Sequence, residues 1–201
     1  MKKSLLIVFS SAILSGCFST PAIEVSNICN LMDEEVSWYR SIKASEKKYG
    51  SPAHVQLAIM YQESRFASNA KPPREKLFGV IPWMRPTTAY GFAQVKDETW
   101  EWYQLKTGNK GADRDDFADA ADFVGWYIDR SDALSGIKKT DAYHQYLAYH
   151  EGHNGFNKKS YKDKPWLTSV ARGVASNARK YRLQLDQCRS ELDRNSIWRL
   201  F

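Results

Sequence analysis

The feature that most constrains this sequence is an apolar run, residues 55–61, that leads directly into an acidic residue. A helix over these residues is apolar on nearly every side, which predicts a buried central helix, with Ser51 as its N-cap and Pro52 at its first position. Glu63 ends the helix, close to Phe66. A carboxyl group in such surroundings is desolvated, so its pKa rises and it becomes a candidate general acid. The alternative is an ordinary helix-terminal Glu that faces water.

The rest of the chain is also patterned for helices. Apolar residues at helical spacing predict helices over residues 27–49, over residues 97–108, from about residue 115, from a cap at Thr140 to a break at Gly152, and over residues 165–192. Convincing strand alternation is absent. With 201 residues, 43% of them hydrophobic, the chain has enough material for one mainly α domain.

Residues 67–88 are the least regular stretch. They contain Pro72, Pro73, Pro82 and Pro86, and a short hairpin is predicted around residues 77–83. Long loops inside compact domains are often functional, so we expect this one to contribute to a site.

The N-terminus has the pattern of an exported chain. Lys2 and Lys3 precede an apolar segment, residues 5–14, that is too short to span a bilayer. The sequence Leu-Ser-Gly-Cys at 14–17 resembles a bacterial lipobox, which implies cleavage before Cys17 and its acylation. The alternative is an ordinary signal peptide with an incidental Cys.

The residue after Cys17 indicates which membrane holds the anchor. Phe18, rather than Asp, favours the outer membrane, with the protein facing the periplasm. We therefore divide the chain into a signal peptide (1–16), a lipid-anchored tether (17–26) and a folded domain (27–201).

Cys29 and Cys188 lie near the two ends of that domain. In an oxidising periplasm such a pair forms a disulfide, which stabilises so long a loop by roughly 4–5 kcal/mol in the chain-entropy model. The alternative is two unpaired buried thiols.

Net charge indicates an anionic partner. The chain carries +6, and removal of Lys2 and Lys3 with the leader leaves +4. Basic residues are scattered among acidic ones, whereas nucleic-acid binding requires a basic stripe. A cell wall or phospholipid surface fits this pattern, and nucleic acid does not.

Three motifs occur in order along the helical chain: Glu-Ser-Arg-Phe at 63–66, Tyr-Gly-Phe-Ala-Gln-Val at 90–95 and Ala-Tyr-His-Glu-Gly at 148–152. Together they resemble the soluble lytic transglycosylase family, relatives of goose-type lysozyme, over roughly residues 50–180. The resemblance implies a lysozyme-like fold, with the long loop over an active-site groove, and a peptidoglycan substrate.

The resemblance also implies residue roles. Glu63 matches the single catalytic acid/base, and Ser64 the neighbouring Ser that holds the substrate acetamido group. Gly91 and Gln94 match a turn that lines the sugar groove. Tyr149 matches a Tyr whose hydroxyl lies near the carboxyl group and helps to set its ionisation. Tyr90 and His150, in the same motifs, complete the expected substrate-binding set.

The chain departs from the family pattern in three respects. The turn reads Gly-Phe-Ala-Gln rather than Gly-Leu-Met-Gln, His150 replaces the usual Asn, and the interval from Glu63 to Gly91 is longer than in most relatives. We expect the extra loop to overhang the groove, where Trp83, Arg85 and Tyr90 contact sugars; the alternative is that the loop packs on itself. The His150 substitution also admits a catalytically inactive peptidoglycan-binding lipoprotein.

A single carboxylate implies substrate-assisted cleavage of the MurNAc–GlcNAc bond, which yields 1,6-anhydroMurNAc without a cofactor. Aromatic residues of the loop region, Trp83, Tyr90 and Phe92, are expected to keep water from the intermediate. The alternative is a hydrolytic muramidase, with Asp97 or Asp113 as the base for water. Endo- or exo-action and protein partners are left open.

A zinc site is a weaker alternative. His150 and His153 are close in sequence, with His144 upstream, but they are three residues apart, whereas a metalloprotease helix places its two His four apart. We therefore expect no metal.

Overall fold

The computed structural model describes residue 23, residues 25–77 and residues 79–198. The predicted signal peptide, residues 1–16, and Cys17 lie outside the described residues. The elements are α1 (Ile28–Glu34), α2 (Val36–Tyr49), α3 (Ala53–Ser64), β1 (Lys76–Leu77), β2 (Ile81–Pro82), α4 (Asp97–Thr107), α5 (Phe117–Ser135), α6 (Ala142–Asn157), a 3-10 turn (Ser160–Asp163) and α7 (Pro165–Trp198). The prediction of a mainly α fold is confirmed, and β1 pairs antiparallel with β2 where the short hairpin was predicted.

Helix α3 is the centre of the core. It packs against α2, α5, α6 and α7, and the side chains of its middle are fully buried: Val55, Leu57, Ala58, Ile59 and Met60. Burial of each of these side chains other than that of Ala58 contributes roughly 1.5–3 kcal/mol. The apolar run therefore does form the buried central helix, and it fixes the backbone that carries Glu63.

The start of α3 differs from the prediction. Pro52 is the N-cap residue, without a side-chain cap, and Ser51 does not cap the helix. The Ser51 hydroxyl instead donates to the Gly125 carbonyl oxygen, 2.7 Å away, and the Ala53 N–H donates to the Glu46 carboxylate at 2.9 Å. Neighbouring helices thus satisfy the polar groups that a local cap would otherwise satisfy.

The predicted first helix, residues 27–49, is two helices. The break is at Glu35, whose backbone is non-helical (φ −101°, ψ 65°), and the Asn27 side chain caps α1. Helix α1 packs against both α7 and α2. Cys29 in α1 and Cys188 in α7 are joined by a disulfide with a Cα–Cα distance of 6.1 Å.

The cap of α6 was also predicted wrongly, whereas the start of α5 lies within two residues of its prediction and the break predicted at Gly152 is present as a kink. Asp116 caps α5, and Asp141 rather than Thr140 caps α6, because each carboxylate accepts a backbone N–H three residues further on. Gly152 has φ 71° and ψ 160°, but the helix resumes beyond this kink and continues to Asn157.

Helix α7 continues past the predicted end at residue 192 to Trp198. Its last turns are held by α2, since the Tyr39 hydroxyl donates to Asp193 at 2.5 Å and the Arg40 Nε donates to the Ser196 carbonyl oxygen at 3.0 Å. Within the described part of the chain, no helix is both long enough and apolar enough to cross a membrane.

Candidate active site

Glu63 lies in the last turn of α3, where the backbone leaves the helix abruptly. Arg65 (φ 50°) and Phe66 (φ 60°) are both left-handed, a conformation that costs non-glycine residues of order 1–3 kcal/mol each. The Phe66 ring is buried and packs against Tyr61 and Trp38, with ring centroids 5.8 and 6.0 Å apart respectively. This packing holds the turn, and with it the position of the Glu63 side chain.

The carboxyl group of Glu63 is strongly perturbed. Desolvation raises the pKa of this group, and a hydrogen bond from the Tyr146 hydroxyl lowers it because that bond stabilises the ionised form. The net effect is a rise from 4.5 to about 7. Near neutral pH the carboxyl group is therefore present in both protonation states. One residue can then donate a proton and afterwards accept one, as a general acid/base must.

Two tyrosines of α6 approach Glu63, and they have different tasks. Tyr146 hydrogen-bonds to the carboxyl group, and burial, followed by the Glu63 charge, raises the pKa of Tyr146 itself. The Tyr149 hydroxyl donates to the Ala93 carbonyl oxygen at 2.6 Å, and its pKa is raised by burial and then by Glu63. Tyr149 was expected to lie near the carboxyl group and to help set its ionisation; the hydrogen bond to that group comes from Tyr146, which lies one helical turn earlier and which the motif comparison missed.

The turn at 91–94 passes close to the rest of the domain. Gly91 has φ 78°, and a Cβ atom there would lie 2.0 Å from the Arg114 carbonyl oxygen. Gln94 is also left-handed, with φ 47°. Its side-chain amide donates to the Ala70 and Gly91 carbonyl oxygens at 2.8 and 2.9 Å. Gln94 therefore fastens the turn to the loop that follows α3.

Ser64 links the end of α3 to the same turn. Its hydroxyl is buried and lies 2.7 Å from the Phe92 carbonyl oxygen, to which it donates. Together with the bond from Tyr149 to Ala93, this contact holds the turn from both sides. The structure thus brings Ser64, Gly91, Gln94 and Tyr149 together next to Glu63, from three separate segments of the chain.

We expected Phe92 to help to keep water from the reaction intermediate, but its side chain lies elsewhere. Its ring is buried in the core and packs edge-on against Trp38 and Phe117, at centroid distances of 5.3 and 5.2 Å. The turn is tied down through its backbone, which leaves this apolar side chain to fill the core beneath it.

Residues of the long loop mostly contact the protein itself. The Tyr90 hydroxyl donates to Asp115 at 2.7 Å, and Lys71 and Arg114 lie 4.7 and 5.5 Å from the centroid of its ring. Arg85 donates to the Pro72 carbonyl oxygen. These contacts favour the alternative in which this part of the loop packs on itself, whereas Trp83 is 49% exposed.

His150 is oriented by a buried neighbour that sequence reasoning missed. The Glu151 side chain is 4% exposed and lies 2.8 Å from Lys164 and 3.1 Å from the His150 Nδ1. Burial alone would raise the pKa of Glu151, but hydrogen bonds from Lys164, Ser160 and His150 outweigh it and lower that pKa to about 2. An ionised carboxylate therefore lies against the ring of His150 and orients it.

Other groups considered from the sequence have partners of their own. Asp97 forms an ion pair with Arg114 at 2.7 Å. His153 stacks on Tyr127 at 4.6 Å, and its Nε2 lies 3.1 Å from the Ser131 hydroxyl. Among the described residues, no three His, Cys, Asp or Glu side chains are grouped closely enough to hold a metal ion.

Comparison with known proteins agrees with the geometry around Glu63. No curated protein matches the chain. A family model described as "Transglycosylase SLT domain" matches residues 5–188, most of the chain and all three motifs. The chain therefore belongs to the transglycosylase SLT domain family, and it has a lytic-transglycosylase type of function that acts on peptidoglycan.

Proposed function

We propose that this protein cleaves the MurNAc–GlcNAc bond of peptidoglycan without hydrolysis, with Glu63 as the only acid/base. The observation that carries the proposal is the desolvated carboxyl group whose pKa is about 7. An ordinary carboxyl group is ionised at neutral pH and has no proton to give, whereas this one retains a proton in a substantial fraction of molecules.

The reaction takes two steps at this group. In the first, the Glu63 carboxyl group donates its proton to the glycosidic oxygen, and the acetamido carbonyl oxygen of MurNAc bonds to C1 as the C1–O bond breaks. In the second, the Glu63 carboxylate accepts the proton of the C6 hydroxyl, and the C6 oxygen bonds to C1 as the acetamido oxygen leaves. The products are 1,6-anhydroMurNAc and a free GlcNAc hydroxyl, and no water is consumed.

Tyr146 stabilises the ionised form of Glu63 that exists between these two steps. Its hydrogen bond favours the ionised carboxyl group, which is the form that exists once the proton has been given to the leaving group. Burial and Tyr146 thus act in opposite directions on one pKa, and their balance keeps it near neutrality.

Hydrolysis by a muramidase is the second candidate. It needs a base for water opposite Glu63, and Asp97, one of the two acidic residues considered for this task, is held in an ion pair with Arg114. An inactive binding protein is the third candidate, and the perturbed pKa of Glu63 argues against it because binding alone does not need such a group.

We also propose that the mature protein is a lipoprotein, anchored through Cys17 in the outer membrane and facing the periplasm. The support is the Leu-Ser-Gly-Cys sequence that ends the apolar leader segment, with Phe18 directly after it. Such an anchor keeps the enzyme beside the wall that it cleaves.

Mass spectrometry of fragments released from purified sacculi tests the proposed reaction. We expect anhydromuropeptides to dominate, each lighter by one water than the corresponding product of a hydrolytic lysozyme, which serves as the reference digest. Fragments that end mainly in reducing muramic acid would establish the hydrolytic alternative and leave Glu63 as its acid.

A further inference from the structure

The hairpin of the long loop is short and has an unusual composition. Two backbone hydrogen bonds close the base of the hairpin. The backbone N–H of Trp83 donates to the Glu75 carbonyl oxygen at 2.7 Å, and the backbone N–H of Glu75 donates to the Met84 carbonyl oxygen at 3.0 Å. From residue 77 to residue 84 the sequence Leu-Phe-Gly-Val-Ile-Pro-Trp-Met contains no charged or hydrogen-bonding side chain apart from the indole N–H. Lys76 and Arg85 flank it directly.

Large apolar side chains of this hairpin are exposed. Val80 is 74% exposed, Met84 is 69% exposed and Trp83 is 49% exposed. Single exposed apolar residues are normal, but a cluster on one projecting element indicates a surface that is covered in the working protein. The hairpin is therefore a candidate contact surface for an apolar partner.

The surroundings of the hairpin are basic. Residues 71–90 contain four exposed cationic side chains, those of Lys71, Arg74, Lys76 and Arg85, and a single acidic one, that of Glu75. An apolar tip between basic residues matches the interface of an anionic phospholipid membrane, where the tip enters the acyl region and each cation near the headgroups strengthens binding. Trp is itself enriched at that interface.

The proposed lipid anchor brings the membrane to the same end of the domain. The Ile23 N–H donates to the Arg65 carbonyl oxygen at 3.0 Å, so the tether meets the domain at the C-terminal end of α3. The loop that carries the hairpin leaves the domain from this same point. Five residues lie between Cys17 and Ile23, so their Cα atoms are at most about 22 Å apart when the chain is fully extended. An acylated Cys17 thus holds this end of the domain close to the lipid.

We propose that the hairpin inserts its exposed apolar side chains, those of Val80, Trp83 and Met84, into the anionic phospholipid surface in which Cys17 is anchored. This inference rests on the proposed acylation of Cys17. A glycan strand is a poorer occupant, because sugar sites combine aromatic rings with several polar groups that bond hydroxyls, and this tip offers one indole N–H. Insertion gives the anchored enzyme a second point of attachment and so restricts its orientation on the membrane.

Quenching of tryptophan emission by brominated lipid tests the proposal. The mature protein, acylated at Cys17, is reconstituted in vesicles of phosphatidylethanolamine and phosphatidylglycerol, with and without bromine on the acyl chains. Bromine quenches only rings that reach it, and comparison with Trp83→Phe isolates Trp83 from the other six tryptophans of the seven. We expect bromine to quench the wild-type protein more than Trp83→Phe, and replacement of phosphatidylglycerol by phosphatidylcholine to reduce the difference.

Two variants that each introduce a negative charge at an equally exposed apolar residue test whether the effect is specific to the hairpin. Val80→Asp should remove most of the Trp83 quenching, whereas Leu105→Asp, at a residue of α4 that is equally exposed at 74%, should leave it unchanged. Equal quenching of wild type and Trp83→Phe, or no effect of Val80→Asp, would overturn the proposal. A second control uses Glu63→Gln protein in unbrominated vesicles, to which soluble glycan fragments are added. A change in Trp83 emission on that addition would also overturn the proposal, because it would make a glycan strand the occupant of the hairpin.

The mass of the N-terminal peptide and flotation with the vesicles separate the two proposals. A chain that is acylated and floats but shows no Trp83 quenching refutes insertion of the hairpin alone. A chain that is not acylated at Cys17 refutes the anchor, and with it the inference that depends on it.

Discussion

The Tyr146 hydroxyl donates a hydrogen bond to the carboxyl group of Glu63. Burial raises the pKa of that carboxyl group, and the hydrogen bond moves it back toward its ordinary value, to give a pKa of about 7. The tyrosine of the recognised motif, Tyr149, donates instead to the Ala93 carbonyl oxygen. The ionisation of Glu63 and the position of the turn at 91–94 are therefore controlled by two different residues of one helix.

Replacement of Tyr146 by Phe should move the alkaline limb of the pH profile to higher pH. The lost hydrogen bond stabilised the ionised carboxyl group, so its removal raises the pKa of Glu63 above about 7. Because Glu63 must be protonated to start the reaction, kcat/KM then falls at a higher pH than in the wild type. Initial rates on soluble glycan strands between pH 5 and 9 give the profile.

Tyr149→Phe is the matched control for this experiment. It removes a hydroxyl that bonds the Ala93 carbonyl oxygen, so it should lower the rate through the turn at 91–94 while leaving the position of the alkaline limb in place. A shift of that limb in Tyr149→Phe and none in Tyr146→Phe would show that the assignment of the two tyrosines is reversed.

Gly91→Ala should disrupt the turn at 91–94 and reduce both stability and activity. Its φ is 78°, and the added Cβ would lie 2.0 Å from the Arg114 carbonyl oxygen, a backbone atom that is not free to move aside. Gly108→Ala is the matched control, because its φ is 76° and nothing lies within 4 Å of the added Cβ.

Both glycine variants carry the cost of a left-handed alanine, about 1–2 kcal/mol, and only Gly91→Ala adds the clash. Urea unfolding and digestion of sacculi should therefore show a larger loss for Gly91→Ala in each measurement. Equal losses for the two variants would mean that the turn does not depend on its close approach to Arg114.

The sequence was sufficient to predict the helical fold, because buried helices such as α3 have an unmistakable apolar pattern. Helix ends were less predictable where tertiary contacts decide them: Ser51 bonds Gly125 instead of capping α3, and α7 is extended by contacts with Tyr39 and Arg40. The same holds for the site. Glu63 was a candidate from its apolar surroundings and was favoured over an ordinary helix-terminal Glu by the three motifs, whereas Tyr146 and the buried Glu151 become visible only when distant segments are brought together.

Reduction of the disulfide between Cys29 and Cys188 should destabilise the fold without altering the site. The bridge closes a loop with a sequence separation of 159, for which the chain-entropy model gives about 5 kcal/mol. Cys29→Ser with Cys188→Ser should thus lower the Tm substantially and, at temperatures where the protein remains folded, keep the wild-type rate. Thermal unfolding with and without reductant measures the loss; an unchanged Tm would contradict a bridge in the mature protein.

The account depends most on Glu63, and digestion of sacculi by Glu63→Gln tests it most directly. The amide keeps the shape of the side chain but neither donates nor recovers a proton, so the rate should fall by ~10²–10⁴-fold or more, since one group serves both steps. Glu98→Gln, in the first turn of α4, is the control and should retain the wild-type rate. Release of muropeptides by folded Glu63→Gln at close to the wild-type rate would contradict the central claim that this carboxyl group is the acid/base.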